Sequence, residues 1–101
     1  MEFEWDSKKN KNNIEKHGID FADAALIFDE DMLVYEDVRE DYGEKRFCGI
    51  GVLEKIEIFV SYTLRGEKVR IISARKARKD ERQKYSAIYA AQSSEGKYGL
   101  G

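Results

Sequence analysis

The sequence predicts an α+β fold in which helices lie against one antiparallel sheet of about four to five strands. Hydrophobic residues recur with a helical period at residues 21–28, whereas they alternate with a period of two through much of 45–73. The loops between the alternating segments are short, which favours antiparallel neighbours. With 101 residues, the chain has room for one domain of ordinary size.

The N-terminal part is predicted to form a short strand and two helices. Residues 3–5 fit a strand, and Asp6 is a suitable N-cap for a polar helix at 7–17. This helix should end at Gly18, which adopts a left-handed cap readily. A second helix begins after Asp20 and presents one apolar face, made of Phe21, Ala24, Ala25 and Phe28.

The middle of the chain is predicted to form four consecutive strands. An acidic loop at 37–43 separates the first strand from the second, and Arg65-Gly66 turns the chain before the last. Gly49 and Gly51 lie inside a strand pattern with no helix after them. They therefore indicate the close approach of another element rather than a phosphate loop. The strands are predicted at residues 32–36, 45–54, 56–63 and 69–73.

The C-terminal part is predicted to form one helix and a tail. The helix, at about residues 78–91, should pack through Tyr85, Ile88 and Tyr89. Residues 1–91 are therefore interpreted as a single domain. Residues 92–101 are polar and glycine-dotted, so we expect a disordered tail there.

Composition excludes several kinds of site. The chain has one cysteine and one histidine, so an internal disulfide is impossible and a Cys/His zinc site is effectively excluded. We expect no metal and no other cofactor. Cys48 alternates with apolar neighbours and is interpreted as buried. No apolar run is long enough for a membrane span or a secretory signal, so a cytoplasmic protein is expected.

The charges are unevenly distributed along the chain, although the net charge is only −2. Residues 20–57 contain 12 acidic and 4 basic side chains, and residues 65–84 contain 9 basic and 3 acidic ones. The basic segment could hold a polyanion such as RNA, and the acidic one could hold a basic protein. Two solvated surfaces of different sign are the simpler alternative.

Four arginines lie within fourteen residues of the basic segment, and the planar guanidinium fork suits phosphate oxygens. Lys79 and Tyr85 lie in the same segment, and Tyr85 could stack on a base. The alternative is that some of these arginines form surface ion pairs with Glu44, Glu67, Asp80 or Glu81. The four arginines are Arg65, Arg70, Arg75 and Arg78.

Two side chains are candidates for proton transfer. The pKa of a free histidine lies near neutrality, so His17 could act as acid or base. A histidine at a helix C-terminus can equally serve the helix dipole. Glu81, one helical turn before Tyr85, stays ionised among arginines and could act as a base or orient an arginine.

Several short motifs, taken together and in order, resemble the BrnT family of toxins from type II toxin–antitoxin systems. The resemblance covers about residues 3–89. The motifs are F-E-W-D at 3–6, K-H-G at 16–18 followed by Phe21, F-D at 28–29, E-K-R-F at 44–47 with Gly51, T-L-R-G at 63–66, and R-I-I-S-A-R-K-A at 70–77 followed by Glu81 and Tyr85. Arg78 stands where the family pattern often has a threonine or serine that caps the last helix. The sequence leaves open that Asp80 caps this helix instead, which would start it later.

The resemblance implies a RelE-like fold and a cytoplasmic, metal-independent ribonuclease that inhibits translation. It also implies neutralisation by a cognate BrnA-type antitoxin and contact with operator DNA only through the antitoxin complex. The expected reaction is attack of the RNA 2′-hydroxyl on the neighbouring phosphate. The expected catalytic residues are His17, Arg65, Arg75 and Glu81, and the expected RNA-binding residues are Arg70, Arg78, Lys79 and Tyr85.

Two alternatives remain open at this point. A non-catalytic binding module would need the basic segment but no proton-transfer residue. An inactive toxin relative would bind its antitoxin and act only in the repressor complex. Growth arrest on expression distinguishes a ribonuclease toxin from a mere binding module.

Overall fold

The structure, a computed structural model, describes residues 1–90 of the chain. It contains a five-stranded mixed sheet with the strand order β1-β5-β4-β3-β2 and three α-helices, which confirms the predicted α+β class. The predicted tail at 92–101 lies outside the described residues. The elements are β1 (Glu2–Glu4), α1 (Ser7–His17), α2 (Phe21–Ala24), β2 (Leu33–Asp37), β3 (Arg46–Leu53), β4 (Ile56–Arg65), β5 (Lys68–Lys76) and α3 (Lys79–Tyr85).

Strands β2 to β5 form the predicted antiparallel meander, whereas β1 pairs with β5 in parallel. This edge pair departs from the expected all-antiparallel sheet. It arises because α1 and α2 carry the chain from β1 to the far edge at β2, so β1 is free to run beside the last strand. The register of β4 and β5 shifts after Ser61, which leaves Ile72 as an extra residue in β5.

Helix α1 begins and ends as the sequence predicts. Lys9 N–H donates to the Asp6 carboxylate at 2.9 Å, and Gly18 closes the helix with φ of 72°. Asp20 likewise accepts a hydrogen bond from Ala22 N–H at the start of α2. The caps therefore account for three of the four helix boundaries in this part of the chain.

The second predicted helix winds more tightly than expected. Its α-helical part ends at Ala24, and a 3₁₀ helix follows at Ala25–Asp29. With three residues per turn, Phe21, Ala24 and Ile27 fall in line and are fully buried. The predicted face of Phe21, Ala24, Ala25 and Phe28 is therefore correct in part, and Ile27 was missed.

The two faces of the sheet pack against different helices. One face, the helix-covered face, buries its side chains against α1, α2 and the 3₁₀ helix. Its buried residues are Ile19, Phe21, Ala24, Ile27, Ile58, Val60, Tyr62, Val69, Ile71 and Ala74. Among residues 1–90, the other face is covered only at one end, where α3 packs over a small cluster of Cys48, Ile50, Phe59 and Ala77. This second, open face is where polar side chains of the strands can meet a ligand.

The last helix also departs from its prediction. It begins at Lys79 with Arg78 as the N-cap residue, so Asp80 does not cap it. After Tyr85 the chain continues as a π-helical segment at Ser86–Ala90. Tyr85 and Tyr89 still face inward and donate hydrogen bonds to the carbonyls of Asp31 and Met32. The wider winding turns Ile88 outward, and its side chain is exposed rather than packed.

Candidate functional site

Arg75 and Glu81 form a two-pronged ion pair where β5 leads into α3. Arg75 Nη1 donates to Glu81 Oε1 at 2.8 Å, and Nη2 donates to Oε2 at 2.9 Å. Glu81 is the third residue of α3, a position whose side chain can reach back to the N-cap. Its Oε1 accepts the backbone N–H of Arg78 at 2.7 Å. One carboxylate thus starts the helix and holds the arginine.

Glu81 is ionised in this arrangement. Burial by itself raises the pKa of Glu81, whose residue is only 6% exposed, but the hydrogen bonds from Arg75 and from Arg78 N–H outweigh it. The pKa therefore lies below its ordinary value. Since both oxygens already accept hydrogen bonds, the carboxylate is better placed to orient Arg75 than to take a proton.

Arg75 is fixed from a second side by an aromatic ring. Its guanidinium carbon lies 4.2 Å from the centre of the Phe59 ring, and Phe59 is its register partner on β4. Arg75 Nη1 also donates to the carbonyl of Lys76 at 3.2 Å. Three of the five guanidinium N–H groups are then engaged, which leaves Nε–H and one N–H on Nη2 for a ligand.

A cleft of about 340 Å³ opens beside this ion pair, between α3 and the end of β2. Arg78 and Lys84 are exposed at its rim, and Cys48 and Phe59 lie among the residues that line it. Burial raises the pKa of the Cys48 thiol, so this side chain stays neutral, as expected for an inert buried cysteine. The cleft therefore lies beside the fixed Arg75 and has an apolar floor and two exposed cations at its rim. Carboxylates also line it, those of Glu36, Asp37, Asp80 and Glu81.

The structure brings together some of the predicted site residues. Arg75, Arg78 and Glu81 lie at the start of α3, and Lys79 is exposed on the same turn. Tyr85 lies one turn further along, but its hydroxyl donates to the carbonyl of Asp31 at 3.3 Å. Its ring packs against Tyr89, with 4.9 Å between ring centres. In this structure Tyr85 therefore stabilises the packing of α3 against the residues before β2.

Arg65 and Arg70 lie away from this group. Arg65 is paired with Lys68 at the far end of the β4–β5 hairpin, six residues along β4 from Phe59. At about 3.3 Å per residue, this places the Arg65 backbone about 20 Å from that of Phe59. Arg65 Nη2 lies 3.7 Å from Glu44, and Arg70 Nη1 lies 2.6 Å from Glu4. The Arg65–Glu44 pair agrees with the predicted ion-pair alternative, whereas the partner of Arg70, Glu4, is not one of the acids that the alternative named.

His17 lies on the helix-covered side of the sheet. It ends α1 and lines a pocket of about 190 Å³ together with Gly18, Asp23, Leu53 and Lys76. Leu53 packs against the core of the helix-covered face, whereas Glu81 packs over the opposite one. The structure therefore does not place His17 with the arginines of the open face.

Sequence reasoning missed a second carboxylate–arginine pair on the open face. Arg39 Nε and Nη2 donate to the two oxygens of Asp37, each at 2.8 Å, and the Tyr42 hydroxyl donates to Asp37 Oδ2 at 3.0 Å. Arg39 is the one arginine of the predicted acidic loop, so the acidic residues around it outweigh its charge when charges are counted by segment. The available signal was the D-x-R spacing at a strand end, where the chain turns back on itself.

Among residues 1–90, no group of three or more His, Cys, Asp or Glu side chains is placed to hold a metal ion. Within the same part of the chain, no helix combines the length and the apolar character needed to cross a membrane.

The chain matches the sequence model of a known protein family. The sequence model of a family described as "Ribonuclease toxin, BrnT, of type II toxin-antitoxin system" matches residues 5–81, more than half of the chain. The matched range contains Arg39, Arg75, Arg78 and Glu81 and the strands that carry the open face. No curated protein matches the chain.

Proposed function

The chain belongs to the BrnT family of ribonuclease toxins of type II toxin–antitoxin systems, and on that premise we propose that it cleaves RNA on the open face of its sheet, at the cleft beside the Arg75–Glu81 ion pair. The observation that carries the proposal is the Arg75 guanidinium, which Glu81 and Phe59 fix from two sides with N–H donors to spare. An RNA phosphate needs such a preorganised cation.

The proposed reaction needs no bound metal. The 2′-hydroxyl of a ribose gives its proton to solvent as its oxygen attacks the adjacent phosphorus, and the bond from phosphorus to the 5′-oxygen breaks. The departing 5′-oxygen takes a proton from water, so that a 2′,3′-cyclic phosphate and a 5′-hydroxyl result. Negative charge accumulates on the non-bridging oxygens in the transition state. Hydrogen bonds from a guanidinium that is already in place stabilise this charge without any cost of reorganisation.

The residues in and around the cleft have different roles in this proposal. Arg75 contacts the phosphate that reacts, and Glu81 is a positioning residue because its oxygens are already engaged by Arg75 and by Arg78 N–H. Arg78, Lys79 and Lys84 are exposed, and their positive charges attract the phosphates of the RNA on either side of the cleavage point. Arg65 and Arg70 lie further along the open face, where they can bind more distant phosphates. Charge stabilisation is the contribution that this geometry supports best.

The family relation supports the cellular part of the proposal. We propose that cleavage of cytoplasmic RNA stops translation and that an antitoxin of the BrnA type neutralises the toxin. Operator DNA then contacts the toxin only through the complex with the antitoxin. The local excess of acidic side chains at residues 20–57 is compatible with a basic protein partner.

The test is RNA cleavage by the purified protein, free of antitoxin, in excess chelator. The variant Arg75→Ala removes the fixed cation, and Lys11→Ala removes an exposed cation of α1 on the other side of the sheet. We expect wild type and Lys11→Ala to cleave a labelled RNA alike, and Arg75→Ala to cleave about 100-fold more slowly.

Two outcomes would contradict the proposal. Equal cleavage by folded Arg75→Ala would remove Arg75 from the site. RNA binding without cleavage by the folded wild type would instead indicate a binding module or an inactive relative.

A further inference from the structure

A second arginine is held over the open face in the same manner as Arg75, and no part of the proposed reaction uses it. Asp37 ends β2 with only 5% of its side chain exposed, and it sits in register with Arg46 of β3. The Arg39 side chain is 67% exposed. A buried carboxylate thus holds an exposed cation.

The pair has more hydrogen bonds than a surface ion pair requires. Asp37 accepts from Arg39 Nε, Arg39 Nη2, the Arg39 backbone N–H and the Tyr42 hydroxyl. The Arg46 guanidinium carbon in turn lies 4.2 Å from the centre of the Tyr42 ring. These contacts fix the Arg39 guanidinium at one orientation, so little rotational freedom remains to be lost when a ligand binds.

The fixed guanidinium keeps donors for a ligand. The two bonds to the Asp37 carboxylate use Nε–H and one N–H of Nη2, which leaves three of the five N–H donors. Arg39 balances the charge of Asp37. The nearby carboxylates of Glu36, Glu40 and Asp41 are exposed, so a phosphate would have to contact the Arg39 guanidinium directly. Three N–H donors on an exposed planar cation match the oxygens of a phosphate.

Arg39 and Glu81 line the same cleft, so the two ion pairs face one ligand path. The sheet register separates them. Asp37 lies four residues along β2 from Leu33, whose row across the sheet contains Ile50, Phe59 and Arg75. Four residues correspond to about 13 Å along the strand, and the three strand spacings from β2 to β5 add about 14 Å across the sheet. The backbones of Asp37 and Arg75 are therefore about 19 Å apart, and we expect the two arginines to contact different phosphates.

We propose that Arg39, held by Asp37 and Tyr42, is a second phosphate-binding site that takes an RNA phosphate other than the one at Arg75. The proposal rests on the proposed function for the identity of the ligand. Asp37 and Tyr42 act through Arg39 and are positioning residues. Arg39 and Arg75 together determine the path of the RNA across the open face, because each of them holds a different phosphate.

The test measures binding of a fluorescent single-stranded RNA whose 2′-hydroxyls are all methylated, so that it cannot be cleaved. The variants are Arg39→Gln and the control Lys11→Gln, which removes an exposed charge of α1 behind the sheet. We expect Arg39→Gln to bind about tenfold more weakly and to lower the slope of log K against log salt concentration by about 0.7, the value for one phosphate contact. A purely structural role would leave this slope unchanged.

The double variant Asp37→Asn/Arg39→Gln keeps the test valid if Arg39→Gln alone fails to fold, because no uncompensated buried charge remains. Wild-type affinity and slope in a folded Arg39 variant, with cleavage intact, overturn this site alone. If Arg39→Gln lowers the slope as expected but the wild type binds RNA without cleaving it, the result supports the Arg39 site and overturns the proposed ribonuclease activity. A wild type that does not bind the methylated RNA overturns the site.

Discussion

The side chain of Asn13 and the backbone of Ala74 exchange two hydrogen bonds across 61 residues of sequence. Asn13 Nδ2 donates to Ala74 O at 2.9 Å, and Ala74 N–H donates to Asn13 Oδ1 at 3.1 Å. Nδ2 also donates to the carbonyl of Ile19. The pairing of β1 with β5 ends at Arg70, so the buried amide of α1 takes the place of a neighbouring strand at Ala74.

Asn13→Ala is expected to destabilise the fold, because it leaves the buried N–H and C=O of Ala74 without their partner. We expect a loss of about 3 kcal/mol in the free energy of unfolding, measured with urea. The control Asn12→Ala, at an exposed position of the same helix, should change it by less than about 0.5 kcal/mol. Equal stability of the two variants would contradict this account of Asn13.

Glu81→Gln is expected to reduce RNA cleavage by about 10- to 100-fold. An amide has only one acceptor oxygen and cannot accept hydrogen bonds from Nη1 and Nη2 of Arg75 on two oxygens. The control Asp80→Asn removes the same charge from an exposed neighbour on α3. Loss of a negative charge alone should strengthen RNA binding, so Asp80→Asn should cleave RNA at least as fast as wild type. A similar decrease of cleavage in both variants would indicate that the substitutions disturb α3 as a whole and not the ion pair between Arg75 and Glu81.

The stability of the fold is expected to decrease in acid. The pKa values of Glu81 and Asp37 both lie below their ordinary values of 4.5 and 3.8, for Asp37 chiefly because Arg39 hydrogen-bonds the charged form. A group with a lowered folded pKa stabilises the fold fully above its unfolded pKa and loses that contribution as pH falls through the folded pKa. Urea unfolding should therefore show a free energy that is level above about pH 5 and falls below it. Asp37→Asn should flatten the fall, and an unchanged slope in this variant would contradict the assignment.

The local parts of the fold could be predicted from the sequence, whereas the long-range parts could not. Asp6, Gly18 and Asp20 determine helix boundaries by contacts within a few residues, so their positions in the sequence suffice. The parallel pairing of β1 with β5 depends on a contact 66 residues away, which no local period reveals. The same holds for the partner of Arg70, because Glu4 was not among the acids expected to pair with it.

The candidate site could be predicted only where its residues are close in sequence. Arg75 and Glu81 are six residues apart and were found together. His17 is a candidate from the sequence because it is the only histidine of the chain and lies in the K-H-G motif, yet the topology puts it behind the sheet. Which face of the sheet a helix end occupies is decided by packing. The presence of a histidine therefore indicates a capacity for proton transfer but does not reveal where in the fold the side chain lies.

His17→Ala is expected to leave RNA cleavage within about twofold of wild type, because the open face lies on the other side of the sheet. A modest loss of stability, up to about 1 kcal/mol, is expected instead, since His17 lies in the last turn of α1, where a basic side chain can interact favourably with the helix dipole. The measurement is cleavage in excess chelator together with urea unfolding. A loss of about 100-fold in cleavage would return His17 to the catalytic group and move the site to the helix-covered side.

Gly51→Ala is expected to destabilise the fold more than Gly49→Ala does. A Cβ on Gly51 would lie 2.9 Å from Ile27 Cβ, and one on Gly49 would lie 3.0 Å from Met32 Sδ. Ile27 is branched and fully buried within the 3₁₀ helix, so the backbone of that segment must move, whereas the Met32 side chain can change rotamer. We expect Gly51→Ala to cost about 2 kcal/mol and Gly49→Ala less than about 1 kcal/mol. Equal unfolding free energies for the two variants would mean that residues 25–29 shift freely against β3, and close approach would then not be why Gly51 lies in a strand.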